Sequence, residues 1–146
     1  MGLLAPSPGE VVDRQTILEL KIAAAEKNQI STGDFAREYD QLQAYLGKNS
    51  FTAKPGQDDY KVLYAKLKDV NTQLWNIEDE IRLIIRQAGA PANLTAEQKT
   101  AVGRISFAIP RLNDQRAELV QQINKLFNID RVEKLYNAGA DRPVGK

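Results

Sequence analysis

In DYKVLYAKLKDVNTQLWNIEDEIRLI, residues 59–84, apolar side chains fall at Tyr60, Leu63, Leu67, Val70, Leu74, Ile77, Ile81 and Ile84. The steps between them alternate between three and four residues without a break. That is a heptad seam, the pattern of a helix packed lengthwise against a partner. Gly89 and Pro91 stop the pattern, so the predicted helix runs from about Asp59 to Ala88 and is roughly 45 Å long at 1.5 Å per residue.

The partner is the helix that follows. Thr95 and Gln98 form a capping-box pattern that opens it. Its seam is Val102, Ile105, Ile109, Leu112, Arg116, Leu119, Ile123 and Leu126. A short turn between the two helices matches the seams layer by layer. Ile84 then faces Val102, Ile81 faces Ile105, Ile77 faces Ile109 and Leu74 faces Leu112, down to Tyr60 facing Leu126.

Two helices precede this hairpin. Ser7, Pro8, Gly9 and Glu10 read as N-cap, N1 proline and capping-box glutamate of a helix from about Pro8 to Asn28. Ser31 or Thr32 caps a second helix with Phe35, Tyr39, Leu42 and Leu46 on one face and Gly47 as its stop. Lys48 to Gln57, with Pro55 and Gly56, reads as a loop. The predicted fold is all-α: a long antiparallel helical hairpin of helices three and four, covered by helices one and two and four-helix-bundle-like. Residues 1–136 form one helical domain with a short terminal helix over Asp130 to Tyr136, and residues 137–146, with Gly139, Pro143 and Gly145, form a flexible tail.

Composition narrows the chemistry. With 146 residues the chain suits one domain with its own core. It has no cysteine and no histidine. That removes thiolate nucleophiles, disulfides, Ser-His and Cys-His arrangements and the usual zinc ligands, and it points to a cytoplasmic protein. Any metal would be a hard ion on carboxylates, such as magnesium. A net charge of +1 gives no electrostatic reason to expect DNA or RNA as a partner. No apolar run reaches the length of a membrane span. The start, Met1 to Pro6, lacks the basic region of a signal peptide, and Pro6 stands where a myristoylation signal wants Ser or Thr.

Several charges sit where a plain bundle would not place them. Arg116 occupies a seam position opposite Val70. An arginine there needs a carboxylate from helix one or three, unless its stem packs and its head snorkels to water. Glu10, Asp13, Asp69 and Glu78 are the candidate partners. Helix one places Glu10, Asp13, Arg14, Ile17 and Lys21 on one side and Val11, Leu18 and Ile22 on another, so it is expected to be covered twice. Helix three carries Trp75, Glu78, Asp79 and Arg82 within two turns; Trp75, Asp79, Arg82 and Arg86 form a stripe away from the seam. An aromatic beside arginines suits a planar or phosphorylated ligand, and it equally suits a floor beneath helix one. Pro110 is expected to kink helix four near Ser106 to Ile109.

The segments SPGEVVDRQTILELK (7–21), LWNIEDEIR (74–82) and NDQR (113–116) resemble a family of small bacterial and phage helical proteins of unknown function. Its motifs read S-P-G-E-x-x-D-K-x-T-I-L-E-I-K, L-W-x-I-E-D-x-I-R and N-D-x-R. Arg14 stands in place of the pattern's lysine. The resemblance covers most of residues 7 to 127. It implies no activity, and it spells the same three segments that charge placement singles out.

The expected site therefore gathers Glu10, Asp13, Arg14, Lys21, Trp75, Glu78, Asp79, Arg82, Asn113 and Arg116 between the start of helix one and the hairpin. The leading expectation is a small-ligand-binding protein for a nucleotide-like or phosphorylated molecule, with a phage protein sequestering a host nucleotide signal as one form of it. One alternative is a helical protein–protein interaction module, including a homodimer, with an internal salt-bridge network. Another is a nucleotide-hydrolysing enzyme with magnesium on Glu10, Asp13, Glu78 and Asp79. No further cofactor is expected.

Overall fold

The computed structural model describes residues 5–48 and 57–127. The loop expected over Lys48 to Gln57 lies mostly outside them, and the terminal helix and tail expected after Asp130 lie wholly outside. The described chain forms α1 (Pro8–Lys27), α2 (Gly33–Lys48), α3 (Gln57–Ala88) and α4 (Ala96–Leu126), with a short 3-10 turn at Pro91–Asn93. Among the described residues no helix is long and apolar enough to cross a membrane.

Local chemistry sets the boundaries. Ser7 and Glu10 close a capping box at the start of α1, and Thr95 and Gln98 close another at the start of α4. Gly89 adopts a φ of 76° just past α3, a left-handed conformation that favours glycine. Gly47 does not stop α2, which continues to Lys48. α4 runs without interruption through Pro110, whose ring faces solvent. At an exposed position the missing donor leaves a carbonyl that water can satisfy.

α3 and α4 pack along each other as the paired seams require. Leu67, Val70, Leu74, Leu112, Leu119, Val120, Ile123 and Phe127 share one buried cluster, with Ile77, Leu63 and Tyr60 against it. Cross-hairpin links keep the expected layering to within a turn. Gln98 Nε2 donates to Gln87 Oε1 at 3.4 Å, Arg104 pairs with Glu80, and Tyr60 meets Phe127 edge-on with ring centroids 6.2 Å apart.

α1 lies across the base of the hairpin and is covered on two sides. Val12 and Thr16 turn toward the hairpin; Val11, Gln15 and Leu18 complete the buried surface. Its polar links reach α3 at Tyr64, Lys68 and Asn71 and α4 at Arg116 and Asn124. α2 packs on α1 and reaches the hairpin through Tyr39 and Leu46. Between Trp75 and Arg111 only Ile84 and Ile105 are buried. The chain therefore divides into a braced base and a two-helix arm.

Candidate functional site

At the base, helical spacing aims three successive layers of α1 into the hairpin. Gly9 touches α4 so closely that a Cβ would collide with the Val120 carbonyl and lie 2.8 Å from that valine's Cγ1. Its N–H donates to the buried Asn124 Oδ1 at 2.7 Å. One turn on, Asp13 accepts Arg116 Nε at 2.9 and 3.0 Å and Arg116 Nη2 at 2.5 Å. Asn71 Nδ2 donates to Asp13 Oδ1 at 2.9 Å and to Thr16 Oγ1 at 2.7 Å. The Thr16 hydroxyl donates back to the Asp13 carbonyl at 2.7 Å. Arg116 therefore pairs with a carboxylate of α1, as its seam position demands. The carboxylate is 14% exposed and the guanidinium 34%.

The remaining expected residues disperse. Glu10 is engaged in the capping box, accepting from Ser7 N at 3.3 Å. Arg14 turns to α2, where Nε and Nη2 donate to the Glu38 carboxylate at 2.6 and 3.0 Å. That hydrogen bond lowers the Glu38 pKa and raises that of Arg14. Lys21 Nζ lies 5.7 Å from the centre of the Phe35 ring. Glu78 and Arg82 pair with each other along the surface of α3 at 3.3 Å. Trp75 is half-buried, and Asp79 and Asn113 are exposed. Of the ten expected residues, the structure brings together Asp13 and Arg116. Among the described residues no group of three or more acidic side chains is gathered to hold a metal.

A second polar cluster was not foreseen. The Glu19 carboxylate accepts the Tyr64 hydroxyl and, at 2.9 Å, Lys68 Nζ. The Tyr39 and Tyr64 hydroxyls lie 3.4 Å apart, and the Tyr60 and Tyr64 rings 5.9 Å apart. Burial, then the hydrogen bond to Glu19, pushes the Tyr64 pKa well up. Burial, then neighbouring Tyr39 and Glu19, pushes Tyr60 up to about 12. Tyr39, Tyr60, Tyr64 and Lys68 border an open-sided cavity of about 420 Å³ between α2 and α3. The visible signal was the placement of Tyr60 and Tyr64 one turn apart. Nothing local to α1 marks Glu19 as their partner.

Comparison with family models, with curated proteins and with solved structures finds no match.

Proposed function

We propose that the protein is a helical interaction module whose arm binds a second copy of itself. One observation carries the reading: the outer stripe of α3 is self-complementary. Asp79, Leu83 and Arg86 follow one another at steps of four and three, so they share one side of the helix. Leu83 is 50% exposed, and neither Asp79 nor Arg86 has an ion pair within the described residues. An antiparallel, two-fold pairing centred on Leu83 sets each Asp79 beside the other copy's Arg86 and covers both leucines. Ile85 at 61% and Phe107 at 80% exposure give the arm further apolar surface to bury. Two paired arms would make a four-helix bundle, the ordinary remedy for a two-helix layer.

The expected ligand at Glu10, Asp13, Arg14, Lys21, Trp75, Glu78, Asp79, Arg82, Asn113 and Arg116 has less support. The cations that would hold an anion at the base, Arg14, Lys21 and Arg116, already face Glu38, Phe35 and Asp13. For the enzyme reading, no group of three or more carboxylates is gathered among the described residues.

Sedimentation velocity tests the dimer. A dissociation constant below about 100 µM, roughly −5.5 kcal/mol, is expected. Asp79→Arg should weaken it, and adding Arg86→Asp to the same chain should restore it. A wild-type protein that stays monomeric at millimolar concentration overturns the reading, as does unchanged association in Leu83→Glu.

A further inference from the structure

The cavity between α2 and α3 is built from side chains of two kinds. Tyr39, Tyr60 and Tyr64 line it with aromatic side chains, and Gln43, Lys61 and Lys68 line it with polar ones. Its walls are held apart by α1, which ties to each. Gln15 Nε2 donates to Gln43 Oε1 at 2.8 Å on the α2 side, and Glu19 anchors Tyr64 and Lys68 on the α3 side. A volume of about 420 Å³ falls within the roughly 300–1,000 Å³ of small-molecule sites.

Charge decides what such a site favours. A carboxylate beneath aromatic rings suits a cationic guest, but Glu19 is already neutralised by Lys68 at 2.9 Å. Lys61 has no ion pair among the described residues, so the rim carries one uncommitted positive charge. Tyr60 has no hydrogen-bond partner there either, and its hydroxyl stays protonated and able to donate at neutral pH. Tyrosine rings supply stacking surfaces that tolerate different ring systems.

We infer that this groove binds a planar aromatic molecule carrying an anionic group, its ring against Tyr39 and Tyr60 and its anion toward Lys61. The proposal is independent of the arm and of its pairing. Adenosine monophosphate and 4-hydroxybenzoate are suitable probes, with adenosine and inorganic phosphate as the neutral and non-aromatic arms. Calorimetric titration of the full chain is expected to give at least one aromatic anion a dissociation constant below about 1 mM, and adenosine and phosphate at least about tenfold weaker binding. Lys61→Glu, an exposed position that leaves the core untouched, should weaken the aromatic anion at least about tenfold, and Tyr60→Phe should weaken it to a smaller extent. Arg82→Glu, out on the arm, should bind like wild type. Binding of neither aromatic anion below about 1 mM, or binding that Lys61→Glu leaves intact, overturns the proposal. So does phosphate binding as tightly as the aromatic probes.

Discussion

Replacing Asp13 by alanine tests whether the base is held by its polar layer. Asp13 accepts two donors from Arg116 and one from Asn71. Without it, among the described residues, the Asn71 Nδ2 donor keeps only Thr16 Oγ1 and the guanidinium keeps no carboxylate. A charge-assisted hydrogen bond contributes about 1.5–3 kcal/mol, and a neutral one about 1 kcal/mol. Breaking a fully buried pair costs about 3–5 kcal/mol. Arg116 is 34% exposed, so water recovers part of its loss and the lower end applies. The expected destabilisation is about 3 kcal/mol. Arg116→Met should cost about 2 kcal/mol, because the stranded carboxylate still accepts from Asn71. The double variant Asp13→Leu with Arg116→Met buries no charge and should lie close to wild type. Urea unfolding followed by far-ultraviolet circular dichroism measures all of these, read at unchanged m. If Asp13→Ala costs under about 1 kcal/mol, or the two sites are additive to within about 0.5 kcal/mol, the pair does not hold the base.

Two glycines should respond with opposite sign. Gly9→Ala drives a methyl into the Val120 carbonyl and should cost at least about 3 kcal/mol in urea unfolding, whereas Gly103→Ala meets nothing within 4 Å in mid-α4 and should stabilise by about 0.5–1 kcal/mol. Equal effects at the two positions would contradict the close approach of α1 to α4. Alkali should unfold the base: Tyr60, raised to about 12 from 10.0, holds its proton longer when folded, so stability is complete below pH 10 and falls as pH climbs toward 12. The part of the tyrosinate absorbance that Tyr60→Phe removes is expected to rise together with loss of helical signal; if that part rises at pH 10 with the helices intact, Tyr60 is not buried as described.

The hairpin was legible because both its helices repeat one period over many turns, and a period that long survives any local ambiguity. Arg116 was legible for a related reason: a charge interrupting an apolar seam requires a partner, and Asp13 was among the few within reach. What the sequence concealed is which way α1 is turned between the hairpin and α2. Asp13 turns to Arg116 and Asn71 of the hairpin, whereas Arg14, about 100° further round the helix, turns to Glu38 of α2, and Lys21 lies near Phe35. No helical period encodes that choice. It depends on long-range contacts such as Gly9 against Val120 and Asn124. Asn71 and Asn124 were passed over because each follows a seam residue directly, a position that normally faces out. Both are buried once α1 lies over them.

The polar layer under α1 has a geometric consequence that apolar packing alone would not supply. Valine and leucine contacts tolerate sliding of one helix over another, because dispersion has little directionality. Hydrogen bonds from Gly9 to Asn124 and from Arg116 and Asn71 to Asp13 do not, since each fails within a fraction of an ångström or a few tens of degrees. They pin α1 at one height and one angle on the hairpin. α2 meets the hairpin through the Tyr39–Tyr64 hydroxyls, 3.4 Å apart, and Leu46, and it is tied to α1 by the shorter Arg14–Glu38 and Gln15–Gln43 links. The spacing between α2 and α3, and with it the width of the tyrosine-lined groove, is therefore coupled through α1 to the Asp13 layer. A change at Asp13 that leaves the protein folded should alter that groove without touching any residue in it. The arm lies beyond the reach of α1, and its capacity to pair should be indifferent to the same change. Measuring groove binding and self-association in the same Asp13 variant therefore tests the base and the arm separately.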